Sequence, residues 1–370
     1  MSNAPLRVAT GLAKGQQASP TLAAQAVQMA MQKADISQPC SVLLYLTTEF
    51  ATNPQPAIKA AASIASTTQI MGCSASGIFT EDEWVLDGAA AAAMVFSHDV
   101  LTHHASNRLE SEYLLTLAAP SALNATWLDS GKPRFGGVSG DATGRGPFSV
   151  WHDGKGVTQG YCELAIQHGR IAVGASHGLK QLASPRKVTA SLGFDLVSIA
   201  NVDALNSLMS ACQAAEIPHD NIPYHLLMVA YASSAKALNA GEYRLASIVM
   251  SNEDHHTITL SQTIPTGSWI CWTMRDTQAA QQDIRHTAQT LSTALGQAPD
   301  FGLLFSCLGR GPYFYDGDDL DLTTLKAQFP RMPIIGFYGN GEIAPMMGGN
   351  TLLAYSAVLG LFSSTALSNA

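Results

Sequence analysis

The chain has 370 residues, enough for two or three ordinary domains, and its 46% hydrophobic residues can fill a substantial core. Only 13% of the residues are charged and the formal net charge is -8, so there is no basic footprint of the kind that neutralises phosphates. These values exclude nucleic acid as a partner and predict a globular protein.

The opening MSNAPLRVATGLAKGQQASP has no apolar core behind a positive region and does not read as a secretory signal, and GAAAAAMVFS is far too short to cross a bilayer. Six cysteines, at 40, 73, 162, 212, 271 and 307, form no C-x-x-C pair and no zinc spacing. A reduced, cytoplasmic protein away from membranes is expected.

In chain order, SPTLAAQAVQMAMQKA begins with Ser19 as N-cap and Pro20 in the first turn, then keeps apolar residues at helical spacing. SVLLYLT predicts a buried strand, PAIKAAASIAS a helix, TQIMGCS a second strand and AAAAAMVFSHDV a third. The middle runs SVWHDG, GVTQGYCELAI and GRIAVGASHGL predict an antiparallel meander, and VDALNSLMSACQAAEI a helix. PHDNIP, Pro218 to Pro223, interrupts the periodicity and is read as a linker, giving domains over 1–218 and 219–370. Beyond it, DFGLLFSCLGRG, MPIIGFYGNGEI and TLLAYSAVLGLFSS predict strands, and DLTTLKAQFP a helix.

IMGCSASGIF at 70–79 aligns with IIGFYGNGEI at 334–343, matching Gly72 with Gly336 and Gly77 with Gly341. This suggests an internal duplication of a β-α-β-β unit. The expected fold is α/β, with two domains of mixed sheets covered by helices. The two units are expected to face each other about an approximate twofold axis, with their glycine turns lining one cleft.

Ser74 lacks the final glycine of a G-x-S-x-G elbow, and no partner fixes Cys73 as a nucleophile. The adjacent pairs His103–His104 and His255–His256 point to opposite faces on a strand and suit solvated turns better than one metal. FGGVSGDA, with Gly137, Ser139 and Asp141, has neither a phosphate-loop nor a dinucleotide pattern. Arg310 can hold a carboxylate with two parallel hydrogen bonds and Glu342 can accept from an ammonium group; alternatively the two pair with each other or with neighbours. Glycine beside each polar group lets backbone N–H groups approach a ligand closely.

QIMGCSASG, FGGVSGDA, SCLGRG and PIIGFYGNGEIAP, in that order, resemble FIST domain proteins, and ATGLAKGQQASPTLAAQAVQMA resembles the start of the family. The resemblance implies a sensory signal-transduction module that binds small ligands, amino acids among them. Bacterial members often stand beside kinases or methyl-accepting chemoreceptors, so signalling through a partner protein is expected. The family's G-C-S falls on Gly72, Cys73 and Ser74, its C-x-x-R on Cys307 and Arg310, and its G-E-I on Gly341, Glu342 and Ile343. Asn340 replaces the more usual hydroxyl before G-E, which leaves the ligand open.

The expected site comprises Gly72, Cys73, Ser74, Ser76, Gly137, Ser139, Asp141, Cys307, Arg310, Tyr338, Asn340 and Glu342, in a sensor and not an enzyme. Arg310 is expected to hold a carboxylate, Glu342 an amine, and Ser74, Ser76, Ser139 and Asn340 to orient the ligand. The cofactor is unknown. One alternative is a haem sensor with His98, His103, His152 or His177 as axial ligand; a second is a hydrolase using Cys73, Cys307 or Ser74; a third is a structural scaffold.

Overall fold

The computed structural model describes residues 5–103, 112–129, 131–158, 160–346 and 348–364; His104 lies outside them. The chain begins with strand β1 (Val8–Gly15), helix α1 (Pro20–Ala34), strand β2 (Ser41–Thr47), helix α2 (Gln55–Ala65) and strand β3 (Ile70–Ala75). A hairpin of β4 (Gly77–Thr80) and β5 (Trp84–Leu86) follows, then β6 (Ala89–Phe96). Ser19 caps α1 by accepting the Thr21 N–H, and Pro20 occupies the first turn, where a missing N–H costs nothing.

The same order of strands returns twice. The second copy has β7 (Leu101–His103), β8 (Leu114–Ala118), the short helix α3 (Ala125–Asp129) and β9 (Arg134–Val138). Its hairpin is β10 (Ser149–His152) with β11 (Lys155–Thr158), and β12 (Tyr161–Ile166) ends it. The third copy starts with β13 (Gly169–Ser176) and is interrupted by residues Gly178–Gln282, which form a compact unit of their own.

That inserted unit contains β14 (Leu179–Gln181), β15 (Arg186–Leu192), β16 (Asp195–Ile199), β17 (Val202–Asp203), helix α4 (Ala204–Ala214), β18 (Leu227–Ala232), helix α5 (Ala235–Asn239), β19 (Arg244–Asn252), β20 (Thr257–Leu260) and β21 (Trp269–Arg275). Strands β21, β15, β16, β20, β19 and β18 pair in that order, all antiparallel, and β18 returns to β21, closing a six-stranded barrel. Closure removes free edges from these strands. Leu205, Leu208 and Cys212 of α4 join its core with Val188, Leu196, Val229, Ile258 and Trp272. His255 and His256 are exposed in the β19–β20 turn.

The third copy resumes along helix α6 (Thr277–Leu295), whose residues from Asp283 onward belong to the first unit, with β22 (Phe301–Cys307), helix α7 (Leu320–Gln328) and β23 (Ile334–Gly339). A hairpin of β24 (Glu342–Met346) and β25 (Gly349–Leu353) precedes the last strand, β26 (Ala357–Ser364). The first unit therefore comprises residues 1–177 and 283–370.

Each copy builds four strands of a six-stranded sheet in one order: β1-β6-β2-β3, β7-β12-β8-β9 and β13-β26-β22-β23. The two inner strands, β2 with β3, β8 with β9 and β22 with β23, are parallel. The remaining two positions are filled by a hairpin from another copy: β10–β11 on β3, β24–β25 on β9, and β4–β5 on β23. The exchange forms a closed cycle.

Alternate side chains of the inner strands, Leu43 and Tyr45, Leu115 and Leu117, Leu303 and Phe305, enter one shared core. The intervening Val42, Leu44 and Leu46 meet Ala26, Val27, Ile58 and Ala61 of α1 and α2. Leu304 and Leu359 meet Ile284, Ala288, Leu291 and Leu295, a helical stripe on α6, together with Leu322 and Leu325 of α7. Strands buried on both faces read as continuous apolar runs, as SVLLYLT does.

Mixed sheets covered by helices are thus present, with an additional copy of the repeat, the second, inside the middle section. Pairing is cyclic among three copies, in place of the twofold relation expected of two. The expected meander is dispersed, with β10 beside β3, β12 beside β8 and β13 beside β26. MPIIGFYGNGEI divides at Asn340–Gly341 into β23 and β24, which join different sheets, and TLLAYSAVLGLFSS divides between β25 and β26. The Pro218–Pro223 segment lies inside the barrel unit, between α4 and β18. Among the described residues no helix is long and apolar enough to cross a membrane.

The glycines Gly72, Gly136 and Gly336 occupy equivalent places, opposite Leu44, Thr116 and Leu304. A Cβ there would lie 1.7 Å from the Leu44 carbonyl oxygen, 1.9 Å from that of Thr116 and 1.8 Å from that of Leu304. Backbone cannot yield as a flexible side chain can. Gly336→Ala is therefore expected to destabilise by roughly 3 kcal/mol or more in urea unfolding. Gly88→Ala, which meets nothing within 4 Å, should stay within about 0.5 kcal/mol of the parent. Similar midpoints for the two variants would refute the close-approach explanation.

Candidate functional site

Past these glycines, the ends of β3, β9 and β23 are joined in a ring. The Ser76 N–H donates to the Tyr338 carbonyl at 3.1 Å, and the Asn340 N–H donates to the Val138 carbonyl at 3.1 Å. The Ser139 hydroxyl completes the cycle by donating to the Ser74 carbonyl at 2.6 Å. Ser76, Gly140 and Asn340 stand four residues beyond Gly72, Gly136 and Gly336 and so occupy equivalent positions in the ring. Gly140 is needed there because a Cβ would lie 2.6 Å from Asn340 Oδ1 and 2.8 Å from its backbone nitrogen.

The chemistry of this ring is polar but mostly neutral. Ser74 Oγ lies 3.1 Å from Ser139 Oγ and accepts the Ser149 N–H at 3.0 Å, which ties the first strand end to β10. Asp141 Oδ2 accepts from Thr143 Oγ1 at 2.5 Å and from the Gly146 N–H at 3.2 Å. Its other oxygen, Oδ1, and the Ser76 hydroxyl are buried with no hydrogen-bond partner among the described residues. Buried polar atoms in folded proteins nearly always have a partner, so these two are the groups near the ring that water or another external group would have to satisfy.

Tyr338 connects the ring to a second, charged cluster: its carbonyl takes the Ser76 N–H, its ring packs 4.9 Å from that of Phe79, and its hydroxyl donates to Asp319. Arg310, 1% exposed, gives Nε to Asp321 Oδ2 at 2.8 Å and Nη2 to Asp321 Oδ1 at 3.0 Å. It also donates to the Ser176 carbonyl at 2.6 Å and to Ser176 Oγ at 2.8 Å, and Ser176 Oγ in turn donates to Asp283 at 2.9 Å. Tyr315 adds a 2.8 Å hydrogen bond to Asp321. Burial works against the charged guanidinium, and Asp321 with Tyr315 more than offsets it. Burial and neighbouring Asp321 push Asp319 up to about 6, while the Leu322 N–H, which it caps, pulls the other way.

Arg310 thus spends both arms of its fork on Asp321, the neighbour pairing left open by its sequence. Glu342 is fully buried opposite Gly137, with the Ser356 amide facing its carboxyl group. Burial drives its pKa well above the usual carboxylate range, offset only in part by the Ser356 amide and Arg310, so the interior favours its neutral form. Gly137 packs against Phe337, whose Cζ a Cβ would meet at 2.6 Å. Cys73 is buried in the shared core, where burial and then Cys162 push its thiol well up. Cys307 ends β22 and donates its N–H to the Ser356 carbonyl. All six cysteines are free thiols.

The structure therefore sorts the expected residues into groups. Ser74, Ser76, Ser139, Asp141 and Asn340 converge at the ring, Tyr338 bridges, Arg310, Cys307 and Glu342 lie in or beside the charged cluster, and Gly72, Cys73 and Gly137 serve packing. Sequence reasoning missed Ser176, Asp283, Tyr315, Asp319 and Asp321; DGDDLDL carried the one available signal, an acidic N-cap at Asp319 before α7.

The histidines weighed as axial haem ligands that the structure describes are each engaged through Nδ1 by a neighbouring side chain. His177 is 7% exposed, shares Nδ1 with Ser356 Oγ at 2.9 Å, and is pushed down to about 4 by burial, with Arg310 acting the same way and Asp283 opposing. His98 Nδ1 is 2.8 Å from Ser97 Oγ and His152 Nδ1 is 3.1 Å from Asp153, and both histidines are partly exposed. The His103 side chain lies outside the described atoms. Among the described residues no cluster of three metal-ligating side chains occurs.

Two outcomes follow. Arg310→Ala, which strands Asp321 in the interior, should cost about 3–5 kcal/mol in chemical unfolding. Folding raises the pKa of Glu342, whereas the unfolded carboxyl loses its proton above its ordinary value of 4.5. The wild type must therefore lose stability from this group as pH rises past that value. Glu342→Gln should gain relative to the wild type as pH rises from 4.5 towards 7, read as the difference in melting temperature between the two proteins. A pH-independent difference would show that the acid is ionised in the folded state.

Two family models match: the FIST N domain over residues 41–201 and the FIST C domain over 202–345. An uncharacterized protein of Mycobacterium tuberculosis (strain H37Rv) is 22% identical over 285 residues, 76% of this chain and 73% of that protein. An uncharacterized protein of Mycobacterium bovis is 23% identical over 318 residues, 79% of this chain and 82% of that protein. FIST domains are associated with sensory and signal-transduction proteins and with small-ligand binding. With both domain models matched in order across most of its length, the chain belongs to the FIST family.

Proposed function

We propose that the protein is a cytoplasmic bacterial sensor that binds an amino acid or a similar small polar molecule at the ring of strand ends. It would signal through a partner such as a kinase or chemoreceptor. The observation that carries this reading is the pair of buried, unpartnered atoms beside the ring, Ser76 Oγ and Asp141 Oδ1. Asp141 supplies an acceptor for an ammonium group, and the Ser76 hydroxyl and the Asn340 side-chain amide supply donors for a carboxylate. Arg310 is left out of the ligand contacts because its fork is already closed on Asp321.

Binding without catalysis is the reading the geometry favours. A thiolate at Cys73 is opposed by complete burial. Ser74 is hydrogen-bonded to Ser139 and the Ser149 backbone, and these supply no general base.

A sensor responds only if its ligand stabilises one arrangement over another, so the measurable quantity is a binding-linked stability gain. A thermal-shift screen of the full chain against the standard amino acids should find one that raises the melting temperature in proportion to the logarithm of its concentration. Asp141→Asn should weaken that ligand about tenfold or more, the loss expected when a charge-assisted hydrogen bond is removed. Unchanged affinity in Asp141→Asn would remove the ring from the ligand site, and site-selective labelling of Ser74 by an acyl-enzyme-forming electrophile would favour catalysis instead.

A further inference from the structure

Residues Gly178–Gln282 contain a cavity of about 340 Å3 between α4 and the barrel wall. Its size falls within the ~300–1,000 Å3 range of small-ligand sites. Space is left because Ser207, Ser210, Ala211 and Ala214, the residues α4 contributes to the lining, are all small, while Leu205, Leu208 and Cys212 fill the barrel core. The opposite wall is apolar and buried, with Ile199 and Ile270 each 1% exposed and Trp272 3% exposed.

Polar groups in the lining are few. Trp272 donates its indole N–H to Ser207 Oγ at 3.0 Å, so the ring's only donor is satisfied and its face is left as an apolar surface. Ser207 accepts in that bond, and its own proton has no acceptor among the described residues. Arg186 lines the cavity from the start of β15, is exposed, and forms no ion pair with a carboxylate among the described residues. No Asp or Glu is among the lining residues.

We propose that this cavity binds a small monocarboxylate with a compact apolar body, a site separate from the polar ring. The apolar body would rest against Trp272 and Ile270, and the carboxylate would take the Arg186 guanidinium and the Ser207 hydroxyl proton. Charge decides the class. An anion meets an unpaired guanidinium, whereas an amine or a zwitterionic amino acid would bring its ammonium to a lining with no carboxylate to receive it.

The test is isothermal titration of the full chain with benzoate and phenylacetate, with benzyl alcohol and benzylamine as the neutral and cationic counterparts. The expected result is saturable binding of at least one carboxylate, with the alcohol about tenfold weaker or more and the amine silent. Arg186→Gln should reduce carboxylate affinity about tenfold, and Ser210→Trp, placed at an exposed helix position to fill the space, should abolish it with an unchanged circular dichroism spectrum. If Ser210→Trp does not fold, Arg186→Gln and the carboxylate-to-alcohol ratio decide alone. Asp141→Asn should bind the carboxylate as the wild type does, which separates this site from the ring. No heat with either carboxylate, or equal affinity in Arg186→Gln, would overturn the proposal.

Discussion

The backbone hydrogen bonds by which each sheet of the first unit accepts a hairpin from another copy of the repeat are the constraint from which the rest follows. A four-stranded sheet ending at β3, β9 or β23 would leave its edge open beside the parallel inner pair. The hairpins β10–β11, β24–β25 and β4–β5 close those edges, and because each comes from a different copy, no copy can complete its sheet alone. The exchange also forces the chain to leave one sheet for the next just beyond the equivalently placed glycines Gly72, Gly136 and Gly336. That brings three crossing points to one ring.

Polar chemistry at this ring is a consequence of the crossings. Backbone groups that leave one ladder before joining another need partners, and Ser74, Ser139 and Ser149 supply hydroxyls and amides to meet the need. The orphaned atoms of Ser76 and Asp141 are what remains after that requirement is met. The charged cluster around Arg310 does different work. A buried guanidinium hydrogen-bonded to Asp321 and to Ser176 fixes the end of β22 against β13 and the N-terminus of α7, so its fork acts as a structural clasp.

The barrel unit interrupts the third copy between β13 and β22, where the first copy needs only the turn before α1. Its cavity is apolar-walled with one unpaired cation, whereas the ring is hydroxyl-rich with one open carboxylate oxygen. The two environments would favour opposite charges at their polar ends. A sensor with two such sites could register two ligands of different character, each measurable without the other.

Local pattern determined much of this. Periodicity and capping located α1, α2, α4 and α7, the runs SVLLYLT and DFGLLFSC located β2 and β22, and the glycine-centred alignment exposed the relation between the first and third copies. The second copy stayed hidden because α3 has only five residues, too short for a helical pattern, and FGGVSGDA shares with its counterparts little beyond the glycine that close approach demands. Residues of the ring were visible as polar side chains near glycines, but Arg310 and Glu342 looked equally available, since sequence shows residue type and not which neighbour closes on it. Strand pairing, hairpin exchange, the Asp321 clasp and the raised pKa of Glu342 belong to tertiary structure alone. They depend on contacts between residues far apart in the chain and on the desolvation those contacts impose, and neither leaves a local periodicity to read.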